Sequence, residues 1–405
     1  MFDSANLLPE LTGLISGLIS ILTAEVVRDL YHIAGHRWQP LQAWHTLHHK
    51  VYRPDLSVAS VEMYRKAEWH NDVPEASVMV LVLAAIAFFA QAYSLGWWAG
   101  CIYSVGFLIT SLGRANGYLL FTDITHKPGA LDTLPANWLV NRTYHWRHHF
   151  DQGNAYYSGT FTLVDRILGT ALSLKGKTIA VTGANGALGR SLLKELSKKG
   201  AKVIAISSSL PEADPEIETW TWQVGQESKW QVELAKVDIL ILNHGVNVLG
   251  DRSSAAILKS YEVNTFSTWR WLELFFSTIT ESKHKALKEV WINTSEAEVN
   301  PAFSPLYELS KRAIGDLVTL RQLDAPCVVR KLILGPFKSS LNPVGIMSAN
   351  WVAWAIITLA QRDFRHIIVT INPFTYFFYP LKEITRSLYF RLFTKSDTKS
   401  ENHAS

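Results

Sequence analysis

Residues 177–189 read Lys-Thr-Ile-Ala-Val-Thr-Gly-Ala-Asn-Gly-Ala-Leu-Gly. A short β-rich run passes into a glycine-rich turn and then into a helical segment, as in a phosphate-binding strand–turn–helix unit. Glycines at 183, 186 and 189 would let the backbone approach a cofactor pyrophosphate at the start of that helix. Because a glycine triplet alone is weak evidence, its meaning depends on the segments around it.

Short β-rich runs continue along the C-terminal part of the chain. The predicted strands are Lys177–Gly183, Ala201–Ser207, Trp220–Val224, Val237–Asn243, Glu289–Ser295, Cys327–Gly335 and His366–Ile371. Helical segments separate most of them, and this alternation is typical of parallel sheets with crossover helices. We therefore expect a C-terminal α/β Rossmann-type domain, a doubly wound parallel sheet, over residues 175–371.

Four polar residues of this region stand in a characteristic order. Asn264 lies in a Val-Asn-Thr segment, Ser295 ends the fifth strand, and Tyr307 and Lys311 are four residues apart. With the glycine turn they resemble the short-chain dehydrogenase/reductase family. The resemblance implies that Tyr307 is the general acid/base, that Lys311 lowers its pKa from about 10 toward neutrality and holds the ribose, that Ser295 orients the substrate, and that Asn264 relays a proton. The implied cofactor-binding residues are Gly183, Asn185, Gly186, Gly189, Ser207, Asn243, Gly245 and Lys311.

Some positions depart from the usual pattern of that family. Ala187 replaces a glycine, His244 an alanine and Gln223 an aspartate, and Gly335-Pro336 inverts the usual Pro-Gly. A degenerate, regulatory dehydrogenase domain therefore remains an alternative. The neutral end of the second strand, Ser207–Ser209, leaves room for a 2′-phosphate, which favours NADP over NAD.

The first 170 residues have a different character. Residues 76–121 contain a single charge, Arg114, and are long enough for two membrane helices of about 20 residues with a turn near Tyr93–Trp98. The apolar run Leu11–Val27 is expected to be a retained membrane helix. The 15 Trp and 14 Tyr suit membrane interfaces, although a large aromatic core would explain them equally. We expect an N-terminal all-α membrane domain over residues 1–170.

Ten of the 14 histidines lie between His32 and His149. Eight form three clusters, which are His32 and His36; His45, His48 and His49; and His145, His148 and His149. Residues four apart share a helix face, so each cluster can direct two imidazoles at one metal ion. Eight imidazoles suit a pair of iron ions, and zinc is the weaker alternative because a closed zinc site needs four ligands.

The clusters, together with the Asn154–Thr170 segment that follows them, resemble the fatty acid hydroxylase/sterol desaturase superfamily of membrane di-iron enzymes. Thr122 and His126 stand where many members have a further His-x3-His, so only His126 is carried over. His70 has no cluster partner and is interpreted as a surface histidine. The implied ligands of the di-iron site are His32, His36, His45, His48, His49, His126, His145, His148 and His149.

Basic residues flank the histidine clusters on both sides of the apolar stretch. Since a hairpin returns to the side that it left, the positive-inside rule predicts a multi-pass integral membrane protein with both catalytic domains on the cytoplasmic face. The net charge of +4 argues against nucleic-acid binding. The two cysteines, Cys101 and Cys327, argue against a disulfide framework.

The two parts together predict a bifunctional lipid-modifying oxidoreductase. A di-iron centre would hydroxylate or desaturate a membrane lipid, and the dehydrogenase would interconvert an alcohol and a ketone. The iron would need dioxygen and an external electron donor such as a ferredoxin or a cytochrome. The alternatives are a membrane-anchored dehydrogenase with an inactive hydroxylase-like part and a non-catalytic lipid-binding scaffold.

Residues 372–405 close the chain. Pro373–Phe393 is rich in aromatic residues and leucines, with Lys382, Arg386 and Arg391 between them. This composition predicts an amphipathic helix at a membrane interface, followed by a polar tail. A tail packed on the dehydrogenase domain is the alternative.

Overall fold

The structure, a computed structural model, describes residues 4–209 and 217–395. The chain divides between Ala171 and Leu172 into two compact units. Most of the predicted polar tail, residues 396–405, lies outside the described residues.

Within its described residues, 4–171, the first unit contains seven α-helices. They are α1 (Ser4–Arg37), α2 (Gln39–Val51), α3 (Val61–Ala67), α4 (Val73–Ala90), α5 (Trp98–Asn116), α6 (Arg142–Phe150) and α7 (Leu163–Leu168). Three helical stretches are long and apolar enough to cross a membrane, namely Pro9–Arg37, Val61–Ala90 and Leu95–Asn116. The predicted N-terminal helix and the predicted helical hairpin are both present.

Small residues allow α1 to pack closely on the hairpin turn. Ser16 Oγ lies 2.7 Å from Ser94 Oγ, and Ser20 Oγ donates to the Trp97 carbonyl over 2.6 Å. The amide of Gly100 donates to Ser20 Oγ over 3.0 Å. Close approach through small and hydroxylated residues is the usual way in which membrane helices associate.

Paired charges lie toward the other end of these helices. The Arg28 guanidinium is 3.1 Å from the Glu75 carboxylate, and that of Arg114 is 3.0 Å from the Glu68 carboxylate. Ionisable residues in apolar helices are expensive unless they are paired, and they commonly mark functional regions. The histidine clusters lie at this end.

The second unit contains a sheet of seven strands. They are β1 (Thr178–Thr182), β2 (Lys202–Ser207), β3 (Glu218–Thr221), β4 (Ile239–Leu242), β5 (Glu289–Asn293), β6 (Val328–Leu334) and β7 (His366–Val369). All pairs are parallel, in the order β3-β2-β1-β4-β5-β6-β7. This confirms the predicted Rossmann-type sheet. β3 begins and ends earlier than predicted. It ends at Thr221 because its partner β2 ends at Ser207, the residue opposite.

Helices cover both faces of the sheet. They are α8 (Ala187–Lys198), α9 (Gln231–Leu234), α10 (Ser254–Tyr261), α11 (Thr268–Ser277), α12 (His284–Leu287), α13 (Pro305–Arg321), α14 (Ala349–Gln361) and α15 (Pro373–Phe393). One apolar cluster packs α8 and α14 on the sheet, and a second packs α11 and α13 on the opposite face. The strand order reverses between β1 and β4, and ligands of such sheets bind at the carboxyl edge beside this reversal.

The helix α15 has two different faces. Its buried face carries Thr375, Tyr379 and Glu383, and the Glu383 carboxylate is 2.8 Å from the buried ammonium group of Lys331. The opposite face exposes a series of apolar residues, which are Phe374, Phe377, Leu381, Ile384, Leu388 and Leu392. One face of α15 therefore packs on the dehydrogenase domain, as the packed-tail alternative predicts. The helix as a whole is amphipathic, as its composition predicts.

Candidate functional site

Nine histidines of the first unit converge into two groups whose side-chain nitrogens lie within 4.8 Å of one another. The first group is His32, His36, His45, His49 and His148, and the second is His48, His126, His145 and His149. All nine predicted ligands therefore come together, including His126. His70 lies outside both groups, and its Nδ1 contacts the Lys66 carbonyl.

The Nε2 atoms within each group are close together. In the first group His148 Nε2 lies 2.9 Å from His32 Nε2 and 3.1 Å from His36 Nε2. In the second group His126 Nε2 lies 3.0 Å from both His145 Nε2 and His149 Nε2. Two imidazole nitrogens that bind one metal ion at about 2.1 Å and at right angles are about 3 Å apart. The donor set and its spacing fit one metal ion in each group.

The opposite ring nitrogens of several of these histidines are held by other groups. His32 Nδ1 is 2.7 Å from the Tyr157 carbonyl, and His148 Nδ1 is 2.8 Å from the Ala155 carbonyl. In the second group His126 Nδ1 is 2.8 Å from the Asp123 carboxylate. Such partners fix ring orientation and leave Nε2 free to bind a metal.

The Tyr157 and Ala155 carbonyls belong to the loop after α6, which a buried aspartate organises. Asp165 accepts hydrogen bonds from the Tyr157 amide at 2.9 Å, the Ser158 amide at 2.8 Å and the Tyr144 hydroxyl at 2.8 Å. The sequence indicates Asp165 only as one of the residues that carry the resemblance to the hydroxylase/desaturase superfamily. Its physical role is to hold the carbonyls that orient two histidines.

Burial keeps most of these imidazoles outside the membrane helices neutral. It lowers the pKa of His45 to about 3 and that of His149 well below its ordinary value. Burial also lowers the pKa of His126 and outweighs the opposing charge of Asp123. His48 is different, because its hydrogen bond to Asp72 overcomes burial and raises its pKa. Neutral imidazole is the form that binds metal ions.

In the second unit, the glycine turn after β1 is shaped by close backbone contacts. A Cβ at Gly189 would lie 2.3 Å from the Gly183 carbonyl oxygen, and one at Gly183 would lie 2.9 Å from the His244 Cα. Gly183 also has a positive φ of 65°. These contacts exclude larger residues, and the turn opens at the N-terminus of α8, where a dinucleotide pyrophosphate fits.

Other predicted cofactor residues surround this turn. Asn185 Nδ2 donates to Ser209 Oγ over 2.9 Å, which joins the turn to the end of β2. The His244 ring, which departs from the family pattern, lies 2.9 Å from Thr182 Oγ1 and joins β1 to β4. Gln223 is exposed beyond the end of β3. Asn185, Ser209 and Gln223, which lie at or near this edge of the sheet, are all uncharged.

The four residues implied to be catalytic lie at the same edge. Lys311 Nζ donates to the Asn293 carbonyl over 2.8 Å and lies 5.8 Å from the centre of the Tyr307 ring. Ser295, which has a positive φ of 83°, lies two residues beyond the end of β5, and its side chain is a hydrogen-bond partner of Tyr307. Asn264 lies in a π-helical turn and donates to the Val246 carbonyl over 2.9 Å and to Ser310 over 3.0 Å.

One expectation about this site needs correction. Lys311 was expected to lower the pKa of Tyr307, but burial raises that pKa, and only the hydrogen bond with Ser295 opposes the rise. The ammonium group is turned toward Asn293, and its own burial lowers the pKa of Lys311 to about 8. Because the ammonium group points at the Asn293 carbonyl and lies 5.8 Å from the centre of the Tyr307 ring, its effect on the phenol is weak.

Comparisons with known proteins found similar proteins for the second unit. Residues 177–326 match the family model described as short chain dehydrogenase. A short chain dehydrogenase from Burkholderia cenocepacia in complex with NADP shares 18% identity, with a TM-score of 0.46, and covers 55% of this chain and 100% of that chain. A short-chain dehydrogenase from Sphingobium yanoikuyae in complex with NADPH shares 14% identity, with a TM-score of 0.47, and covers 55% and 99%.

One curated relative covers nearly the whole chain. The monoglucosyldiacylglycerol epimerase of Synechocystis sp. is 55% identical over an alignment 403 residues long, which covers 95% of this chain and 98% of that protein. At this coverage the match extends into both units. The resemblance of residues 10–170 to the hydroxylase/desaturase superfamily stays a prediction, because the matched dehydrogenase residues lie outside that region. This chain, whose C-terminal part is a short-chain dehydrogenase domain, belongs to the monoglucosyldiacylglycerol epimerase family.

Proposed function

We propose that the chain inverts one hydroxyl-bearing carbon in the sugar headgroup of a monoglucosyldiacylglycerol. The observation that carries this proposal is the convergence of Tyr307, Ser295 and Lys311 beside the glycine turn. This arrangement supports alcohol–ketone chemistry, and the 55% identical relative is an epimerase of such a lipid.

The proposed reaction is balanced without any outside oxidant. A nicotinamide cofactor, when bound, would take a hydride from the sugar carbon and return it to the opposite face of the resulting ketone. Tyr307 would take the hydroxyl proton while the carbon is oxidised and return it when the ketone is reduced. This role requires that the positive charge of a bound, oxidised nicotinamide offset the burial that raises the Tyr307 pKa in the cofactor-free chain. Between the two steps the sugar ring must rotate within the site, so that the opposite face of the ketone is presented to the cofactor. The net result is inversion of one carbon and no change in oxidation state.

Other residues of this chain support these steps. Ser295 lies in hydrogen-bonding contact with Tyr307, so that it would orient the reacting oxygen toward the phenol. Lys311 would hold the cofactor ribose. Asn264 connects the loop after β4 to α13 through its hydrogen bonds to Val246 and Ser310. It would therefore hold the loop beside the cofactor in a constant position relative to the helix that carries Tyr307.

The direct test uses the purified full-length chain in detergent micelles with monoglucosyldiacylglycerol and NADP. The lipid sugar is released by hydrolysis and identified by chromatography. We expect a second hexose, epimeric to glucose, to accumulate to equilibrium. A folded, NADP-binding protein that forms no second hexose would contradict the proposal.

The histidine groups favour a second function. We propose that they hold two metal ions, with iron favoured, beside the ends of the membrane helices. Iron bound there would supply dioxygen activation for hydroxylation or desaturation of a membrane lipid, as the superfamily resemblance implies. That chemistry would require dioxygen and an external electron donor such as a ferredoxin or a cytochrome. Epimerisation requires neither, so the two functions are separable by experiment.

Asp123 provides a test of the metal proposal that leaves every proposed ligand in place. We expect Asp123→Asn to weaken metal retention by about 10–100-fold, because His126 loses the carboxylate that orients it. Metal content is measured after graded exposure to a chelator. Asp132→Asn is the matched control, since the Asp132 side chain is 79% exposed and pairs with Arg142. Equal retention in both variants would contradict a role for Asp123 in holding a metal ligand.

We also propose that the histidine flanks share the cytoplasmic face of the membrane. Lys50 follows the second histidine cluster and Lys127 follows His126, so both positions report on the metal groups. Cysteines at Lys50 and Lys127 should react with a membrane-impermeant reagent from the cytoplasmic side, and a cysteine at Ser94 should not. Labelling of Lys50→Cys and Lys127→Cys from opposite sides would contradict a shared metal centre.

A further inference from the structure

Three loops of the dehydrogenase domain expose large apolar residues at the carboxyl edge of the sheet, which is the edge at which Tyr307 lies. Phe303 is 97% exposed in the loop before α13, and Val344 is 87% exposed in the loop after β6. Ile346 in that loop and Leu249 in the loop after β4 are also exposed. Phe303 and Leu249 both have positive φ values, of 54° and 56°. Such backbone strain in non-glycine residues is concentrated at functional surfaces.

Hydrogen bonds join these loops into one surface. Ser304 Oγ donates to Asn247 Oδ1 over 2.7 Å, and Asn247 Nδ2 donates to the Leu341 carbonyl over 3.2 Å. Ser304 Oγ also contacts the Leu249 carbonyl at 3.1 Å. Since Ser304 lies three residues before Tyr307, the joined loops lie beside the proposed catalytic site.

The beginning of α15 is attached to the same region. Asn300 Nδ2 donates to Thr375 Oγ1 over 2.8 Å, and Thr375 Oγ1 donates in turn to Glu296 over 3.0 Å. The N-terminal end of α15 is therefore held to the segment that precedes α13, and the exposed Phe374 lies at that end. We define the apolar rim as Leu249, Phe303, Val344, Ile346, Phe374, Phe377, Leu381, Ile384, Leu388 and Leu392.

Ion pairs fix α15 in this position. Lys382 Nζ lies 2.5 Å from the Glu298 carboxylate and 2.8 Å from that of Asp316. Glu383 is paired with Lys331 beneath the helix. Because these charges anchor the buried face, the exposed apolar face is held outward as a rigid surface.

The charges around the apolar rim indicate what covers it. Arg252, Lys338, Arg386 and Arg391 are exposed beside the rim, whereas Asp251 is the exposed acidic residue of the loop after β4. Within α15, which the structure describes throughout, the one acidic residue is the buried Glu383. An apolar surface bordered by basic residues complements a bilayer that contains anionic lipids.

We propose that the apolar rim docks on the surface of an anionic lipid bilayer, so that a lipid headgroup reaches Tyr307 while its acyl chains stay in the membrane. This inference rests on the proposed function for the identity of the headgroup. The docking itself is measured without turnover, so its failure and the failure of epimerisation are distinguishable.

The test uses the full-length chain in nanodiscs of phosphatidylcholine and phosphatidylglycerol. The buried cysteines are replaced, Cys101→Ser and Cys327→Ala, and an environment-sensitive fluorophore is attached to Phe303→Cys or Phe377→Cys. Val232→Cys is the matched control, because Val232 is 72% exposed on α9, which leads to the opposite edge of the sheet. Each variant is accepted only if it retains NADP binding.

Spin-labelled lipid in the disc should quench the fluorophore at Phe303 and Phe377 at least threefold more than at Val232. Removing phosphatidylglycerol should reduce the quenching at Phe377. Quenching as weak at Phe303 and Phe377 as at Val232 would overturn the proposal. A blue-shifted but unquenched fluorophore would also overturn it, because protein would then cover the rim. Equal quenching in zwitterionic discs would overturn the role of anionic lipid.

Discussion

Replacing Tyr307 with phenylalanine is expected to reduce epimerisation by about 10³-fold or more, because the general acid/base acts in both half-reactions. NADP affinity should change little, since the phenol interacts with Ser295 and would face the reacting oxygen, whereas Lys311 is the residue expected to hold the ribose. Epimer formation is measured by chromatography of the released sugar, and cofactor binding by quenching of protein fluorescence.

The control for this substitution is Tyr118→Phe, which removes a hydroxyl from a side chain that is 86% exposed. That variant should keep the original rate. If Tyr307→Phe also keeps it, the acid/base is another residue. If Tyr307→Phe loses NADP binding together with turnover, the tyrosine serves cofactor binding, and the proposed division of roles is wrong.

The second large effect is expected from His148→Ala. His148 is completely buried, and its Nε2 contacts two other histidines of the first group. Its removal should lower the metal content from two ions per chain to one or fewer. Metal content is measured by elemental analysis of the purified protein, and retained NADP binding shows that the dehydrogenase domain is folded.

His70→Ala is the matched control, because His70 belongs to the first unit but to neither histidine group. It should retain both metal ions. Two ions in His148→Ala would contradict the proposed ligand set. Stoichiometric zinc without iron in the unaltered protein would contradict the preference for iron and the oxygen chemistry that depends on it.

The sequence predicted the strands of the second unit well because each has a short β-rich run between turn residues. It predicted their ends less well. β5 was expected to reach Ser295 but ends at Asn293, since Ser295 leaves the strand with a positive φ. β3, at the edge of the sheet, pairs only as far as its neighbour β2 extends.

The histidine clusters were predictable from their spacing, but the way in which they divide was not. His48 and His49 are adjacent in one cluster, yet they belong to different groups. Successive residues of an α-helix point about 100° apart, so neighbours in sequence face different metal positions. The supporting contact of Asp123 with His126 could have been suspected from their three-residue spacing, whereas the Tyr157 and Ala155 carbonyls depend on the loop conformation set by Asp165.

The pKa of Tyr307 could not be predicted from its four-residue spacing to Lys311. Spacing places the two side chains on one helix face, but it does not report how deeply each is buried. Here burial raises the pKa of the phenol and lowers that of the lysine, and Lys311 is turned toward Asn293. The expected lowering of the Tyr307 pKa would require the Lys311 ammonium group to be directed at the phenol.

The most direct measurement follows deuterium at the inverted sugar carbon. Monoglucosyldiacylglycerol deuterated at that carbon is converted by the purified chain in ordinary water, and unlabelled lipid is converted in deuterated water. If a hydride is removed and returned, the deuterated lipid should keep its deuterium at that carbon in ordinary water. The unlabelled lipid should gain no deuterium at that carbon from deuterated water. Solvent-derived deuterium at the inverted carbon would show that the carbon is deprotonated, and it would contradict the nicotinamide mechanism assigned to Tyr307, Ser295 and Lys311.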